Sequence, residues 1–227
     1  MTVDKGLIIV YYGNGKGKTT AALGVALRAI GYELNVCMIQ FIKGEWNYGE
    51  IYSSNRLKPN FELVITGKGF VGIIDDEHDF IEHVESSKNA LAIAKEKIDS
   101  GKYSIVILDE INYALKLGLI EEGEIISLLA SKPPEVTVIL TGNLLTDKIF
   151  QIADLVTEMR EIKHPYKKGV KAKKGIDYLR FIKAKLINLT NWFKHSEYLR
   201  NQKTPRFGRN SYSYSQRSYG SWSICNP

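Results

Sequence analysis

Gly13, Gly15, Gly17, Lys18 and Thr19 fall together in the stretch YYGNGKGKTTAALG, residues 11–24. A glycine-rich turn that leaves a buried strand and opens into a helix presents free backbone N–H groups and the positive end of the helix dipole to an anion. The glycines allow the tight curl, Lys18 would reach phosphates, and the Thr19 hydroxyl would ligate Mg²⁺. The chemistry is the binding of a nucleoside phosphate. The spacing departs from the P-loop pattern G-x-x-x-x-G-K-[ST], whose first glycine falls on Tyr12. Gly13 comes one residue late. The stretch is either a flexible loop by coincidence or a P-loop altered for another job, and the strand before it and helix after it favour the second.

Three further stretches carry candidate chemistry. In YSIVILDEIN a buried strand ends in Asp109-Glu110, carboxylates of the kind that hold a hard, oxygen-seeking Mg²⁺ beside a P-loop. In QFIKGEWNYGE, residues 40–50, Trp46 and Tyr48 stand in a glycine-bearing loop and make poor core residues. In TGKGFVG, residues 66–72, Phe70 lies between glycines, where an aromatic stacks on a flat ligand or tucks back into the core. His78, His83, His164 and His195 have no metal-ligand spacing and read as surface residues.

These residues need a frame to hold them. Residues 7–12, 35–42, 61–66, 103–109, 136–142 and 154–159 are short apolar or β-branched runs, several apolar on both faces, as a sheet covered on both sides requires. Helices are predicted over 18–31, ending at Gly31, and over about 79–100, where Phe80, Val84, Leu91, Ala94 and Ile98 share one stripe. Shorter helices follow Glu110, precede Pro133-Pro134 and cover 146–153. The alternation predicts an α/β fold, a P-loop-containing parallel sheet with helices on both faces in a RecA-like three-layer arrangement. Right-handed connections put the ligand at the strand C-terminal ends. Residues 163–178 read as an ordered loop or arm.

The net charge of +6 is unevenly divided. From Leu179 onward nine Lys/Arg face one acid, a surplus of eight, which leaves residues 1–178 at −2. The body is therefore not a basic protein, which argues against nucleic acid as its partner. Residues 1–178 read as one P-loop domain, and 179–227 as a basic, Ser/Tyr/Arg-rich C-terminal tail with the composition of disorder. Two cysteines, Cys37 and Cys225, build no disulfide framework, and Cys37 in an apolar run reads as buried. With neither a signal peptide nor a membrane-spanning run, the expected location is the cytoplasm, with no membrane partner.

The blocks GNGKGKTTAALGVALRA, QFIKGEW, GKGF, VILDEIN and ADLVTEMREIKHPYKKGVKAKKGIDY, in that order, resemble the ATP:corrinoid adenosyltransferases of the CobA/CobO/BtuR type, over about residues 5–178. The resemblance implies that the 5′-deoxyadenosyl group of ATP passes to the Co(I) of cob(I)alamin or another reduced corrinoid, releasing triphosphate and forming adenosylcobalamin. ATP then lies reversed, its α-phosphate end in the anion cradle, where charge develops. Gly13, Asn14, Gly15, Lys16, Gly17, Lys18, Thr19 and Thr20 would bind the triphosphate. Lys18, Thr19 and Glu110 would carry the catalysis. Thr19 and Glu110, supported by Asp109, would hold Mg²⁺ or Mn²⁺. Arg28 would lie near the nucleoside, and Lys43, Trp46 and Phe70 would close over nucleotide or corrinoid. A homodimer and an electron-donating reductase such as a flavoprotein follow from the same resemblance. No general base is expected, since Co(I) attacks carbon without losing a proton.

Two positions depart from the family pattern. Gly72 stands where some members place a tryptophan, and Thr141-Gly142-Asn143 where Thr-Gly-Arg is frequent. The competing functions are a P-loop ATPase or phosphotransferase, which the absent first glycine disfavours, and a nucleotide-gated binding protein whose basic tail touches RNA or acidic surfaces.

Overall fold

The computed structural model describes residues 5–44, 48–69, 71, 76 and 78–176. Trp46, Phe70, Gly72 and the tail 179–227 lie outside the described residues.

Six strands form one sheet: β1 (Ile8–Tyr12), β2 (Val36–Gln40), β3 (Phe61–Ile65), β4 (Ile105–Asp109), β5 (Thr137–Thr141) and β6 (Leu155–Glu158). Their order is β3-β2-β4-β5-β1-β6, and every pairing is parallel. The helices are α1 (Lys18–Ile30), α2 (Gly49–Arg56), α3 (Phe80–Asp99), α4 (Ile111–Lys116), α5 (Glu122–Ala130) and α6 (Asp147–Ile152). A 3-10 helix, Pro165–Lys168, interrupts the arm.

Strand periodicity sorts the core into two layers. Val10, Cys37, Ile39, Val106, Leu108, Val138 and Leu140 face one side, with Ala90, Ala94 and Ile98 of α3 and Ile125 and Leu129 of α5. Ile9, Val36, Met38, Ile107 and Ile139 face the other, where α1 contributes Ala22, Ala26 and Ala29. Both faces are covered, which is why the strands read as continuous apolar runs. The α/β expectation is met. Cys37 is free and fully buried, and burial, with Glu62 nearby, pushes its thiol up to about 12.

Three local expectations are corrected. Gly49 and Glu50, read as the end of the 40–50 loop, open the helix α2 instead. Tyr48 is buried at 3% exposure, so it is a packed residue. His83 is also 3% exposed, not a surface residue, because its Nε2 lies 2.9 and 3.1 Å from the two carboxylate oxygens of Asp76.

The order has one consequence for function. Strand β5 separates β1 from β4, and the registers Tyr11↔Thr141 and Gln40↔Asp109 bring the C-terminal ends of β1, β5, β4 and β2 to one rim. Whatever chemistry follows those strands is assembled there.

Candidate active site

The P-loop begins where β1 ends. Tyr12, at the position of the missing glycine, still belongs to the strand and pairs with Glu158. The turn folds onto the chain leaving β6: Gly15 N donates to Met159 O at 2.7 Å, and a Cβ at Gly13 would come 2.5 Å from that same carbonyl oxygen. Gly17 takes φ 110° and caps α1 with no side-chain hydrogen bond. No acid stands in the first turn of α1, so the dipole and the early N–H groups remain available to an anion. Lys18 Nζ donates to Gly13 O at 2.8 Å and Gly15 O at 2.9 Å, placing its ammonium inside the turn.

Asp109 is the hub of the rim. It is fully buried, and its Oδ1 accepts from Thr19 Oγ1 and from Thr141 Oγ1, each at 2.8 Å. Its Oδ2 accepts from Gln40 Nε2 at 3.3 Å and pairs with Lys43 Nζ at 3.4 Å. Lys43 also reaches Glu50 Oε1 at 3.2 Å and lies over the Tyr48 ring, 5.2 Å from its centre. Burial works against the Lys43 charge, but Asp109 and Glu50 outweigh it and hold its pKa above the usual value. A buried carboxylate is thus satisfied on both oxygens.

Glu110 is different. Its backbone is left-handed, φ 64°, a conformation costing a non-glycine residue about 1 kcal/mol or more. Its N–H donates to Thr141 Oγ1 at 2.8 Å. Burial first, then the Asp109 charge, raises its pKa to about 7, while Lys18 and Lys43 pull the other way. A strained acid with a proton affinity near neutrality marks a functional rim more often than a structural one.

The structure therefore brings Lys18, Thr19, Lys43, Asp109 and Glu110 together. Of the proposed metal-holding carboxylates, Asp109 contacts Thr19 directly. Arg28 stands apart, exposed in the last turn of α1, ten residues and about 15 Å along the helix from Lys18. Asn14 and Thr20 lie exposed at the mouth of the turn. Gln40, Glu50 and Thr141 escaped the sequence reading. A signal existed for two of them: Gln40 ends VCMIQ and Thr141 ends TVILT, each a lone polar residue closing an apolar strand.

Similarity to known proteins agrees with this geometry. The sequence profile of the family described as ATP:corrinoid adenosyltransferase BtuR/CobO/CobP matches residues 4–178. The chain belongs to this family. It is 38% identical over 176 residues to the corrinoid adenosyltransferase of Escherichia coli K12, covering 77% of this chain and 87% of that one. It is 38% identical over 179 residues to corrinoid adenosyltransferase CobA of Salmonella typhimurium, at 77% and 87% coverage. With the corrinoid adenosyltransferase of a Sinorhizobium species it shares 37% over 182 residues, at 78% and 82%. No helix among the described residues is long and apolar enough to cross a membrane.

Proposed function

We propose that the protein transfers the 5′-deoxyadenosyl group of ATP to the Co(I) of a reduced corrinoid, releasing inorganic triphosphate. One observation carries the reading beyond family membership. The shortened turn points Lys18 Nζ at its own carbonyls, 2.8 and 2.9 Å away, in a tight cradle next to the Asp109 rim. Such a cradle suits a charge developing within the turn rather than at a distant γ-phosphoryl group.

In this mechanism ATP lies with its α-phosphate end in the turn. Cobalt contributes an electron pair to C5′, the Co–C bond forms as the C5′–O bond breaks, and the departing triphosphate keeps the released pair. Lys18, the N–H groups at the start of α1 and the Thr19 hydroxyl orient the triphosphate and meet its charge. No group needs to take a proton. Asp109 Oδ1 holds the Thr19 hydroxyl in place, accepting from it at 2.8 Å.

The donor set suits Mg²⁺, or Mn²⁺ in its place. Thr19, Asp109 and Glu110 offer hard oxygens, and the buried Oε1 of Gln40 has no partner among the described residues, so it can accept from a metal-bound water. Among the described residues no group of three or more His, Cys, Asp or Glu is arranged to hold a metal. That fits an ion that takes one or two carboxylates and leaves its other positions to water and phosphate. When bound, the ion would supply charge neutralisation to the triphosphate.

Residues 1–178 carry this activity, in the cytoplasm, as a homodimer supplied with electrons by a reductase such as a flavoprotein. Deleting residues 179–227 leaves turnover of Mg-ATP and reduced cobalamin unchanged, and a large loss would assign the tail a part in the reaction. The assay itself tests the reading. Mg-ATP with chemically reduced cobalamin gives triphosphate and a light-sensitive cobalt–carbon product; ADP with phosphate would support a P-loop ATPase instead.

A further inference from the structure

The four side chains that satisfy Asp109 are not alike. Thr19, Thr141 and Gln40 bring neutral dipoles, whereas Lys43 brings a full positive charge, its Nζ 3.4 Å from Oδ2. That ammonium is shared between two acids. Glu50 Oε1 lies 3.2 Å from it on the other side, and the Tyr48 ring lies beneath it. Lys43 and Glu50 keep 14% and 24% of their side chains exposed, and Asp109 none, so the inner half of this bridge is the drier one.

The backbone that carries Lys43 has little freedom to withdraw. Phe41 N donates to Asp109 O, and Gly69 N donates to Ile42 O, each at 3.0 Å. A Cβ at Gly44 would come 2.8 Å from Gly69 N and 2.9 Å from the Lys68 carbonyl carbon, so the two segments are in close backbone contact. Lys43 can therefore leave Asp109 only by a shift of its side chain. Glu50 is already within reach, in the first turn of α2, where a helix favours a negative charge.

An ammonium that neutralises a buried carboxylate also opposes any second cation brought to that carboxylate. We propose that Lys43 is a resident counter-ion of the metal rim: it neutralises Asp109 in the metal-free protein, and Glu50 takes over its ammonium when a divalent cation binds. Glu50 then acts on metal loading through Lys43, as a positioning residue. The two members of one salt bridge have opposite effects on metal affinity, which a bridge serving only to hold α2 in place would not produce. The proposal rests on the reading of the Asp109 rim as the metal site of the reaction proposed above.

The test uses the full chain with Mn²⁺ alone and no nucleotide, the free ion being followed by its electron paramagnetic resonance signal. Lys43→Met binds Mn²⁺ about tenfold more tightly than the wild type, and Lys43→Arg stays close to the wild type. Glu50→Gln binds it about threefold more weakly, because the ammonium then stays on Asp109. In the Lys43→Met background, Glu50→Gln changes little, since there is no ammonium to receive. Thermal melts add a second readout: with a chelator Lys43→Met melts below the wild type, and Mn²⁺ raises its melting temperature by more. Weaker or unchanged Mn²⁺ binding in Lys43→Met overturns the proposal, as does a Glu50→Gln effect of equal size in both backgrounds. Glu50 is a quarter exposed, so its variant folds even where Lys43→Met does not, and unchanged Mn²⁺ affinity in Glu50→Gln is enough to overturn the proposal by itself. Wild-type protein that takes up no Mn²⁺ is a distinct result, which removes the metal site and the proposal with it.

Discussion

Glu62 and Glu110 occupy opposite rims of the same sheet and are treated in opposite ways. Glu62, near the start of β3, receives Lys97 Nζ at 2.8 Å, Lys102 Nζ at 3.4 Å and the Tyr103 hydroxyl. Burial tends to raise its pKa, but the Lys97 and Tyr103 hydrogen bonds outweigh it and bring the carboxyl to about 2. Glu110, after β4, has burial and the Asp109 charge acting together and is raised to about 7. One rim satisfies its acid and gains stability. The other leaves its acid strained, half-way to protonation, beside a cluster of Lys and Thr side chains. A metal ion and a polyphosphate would supply what that second rim lacks.

The largest effect should come from the functional rim. Lys18→Ala removes the ammonium inside the turn and lowers turnover by roughly a thousandfold, the scale for losing one preorganised donor to developing charge. Its melting temperature stays close to that of the wild type, because the hydrogen bonds of the ammonium go to the turn's own carbonyls. Steady-state assays and a thermal melt check both halves of this expectation.

Next comes Glu110→Gln, read as stability against pH without metal. The folded-state pKa of Glu110 lies above its unfolded value, so the folded protein binds the extra proton. Wild-type stability therefore falls as pH rises from about 4.5 through 7, by up to about 3 kcal/mol, and the Gln variant loses that slope. At pH 8 the variant should be the more stable of the two and the weaker in binding Mg²⁺. Urea denaturation across that range, with and without metal, provides the test. An unchanged slope would mean that Glu110 is not strained by its surroundings.

Glu62→Gln should give the smallest effect, with the opposite sign. Its folded-state pKa is depressed, so its contribution is present above about pH 4.5 and is lost as pH falls toward 2. Glu62 is one-third exposed, and the cost at pH 7 should be about 1 kcal/mol. Turnover should not change. A Glu62→Gln enzyme with impaired turnover would erase the distinction between the rims.

The sequence made the two rims unequally legible. The strands and the longer helices were readable because their apolar residues repeat with the period of the element that buries them. Helix α2 had no such stripe: GEIYSSNR buries only Ser54. The P-loop and Asp109-Glu110 were visible because their chemistry is local. What escaped was the hub itself. Thr19, Gln40 with Lys43, and Thr141 converge on Asp109 from three different segments, and only the strand order brings them together. His83 and Tyr48 were misread although their polar partners, Asp76 and Lys43, stand seven and five residues away. Neither pair lies on a regular helix or strand period, so nothing in the pattern marks the rings as buried.

The direction of ATP in the turn is the claim on which the mechanism stands. A crystal structure of the protein with Mg-ATP measures it directly. The account predicts the α-phosphate within hydrogen-bonding distance of Lys18 Nζ, with C5′ open toward the Asp109 rim. A γ-phosphate held by Lys18, with the sugar on the β6 side, would contradict it.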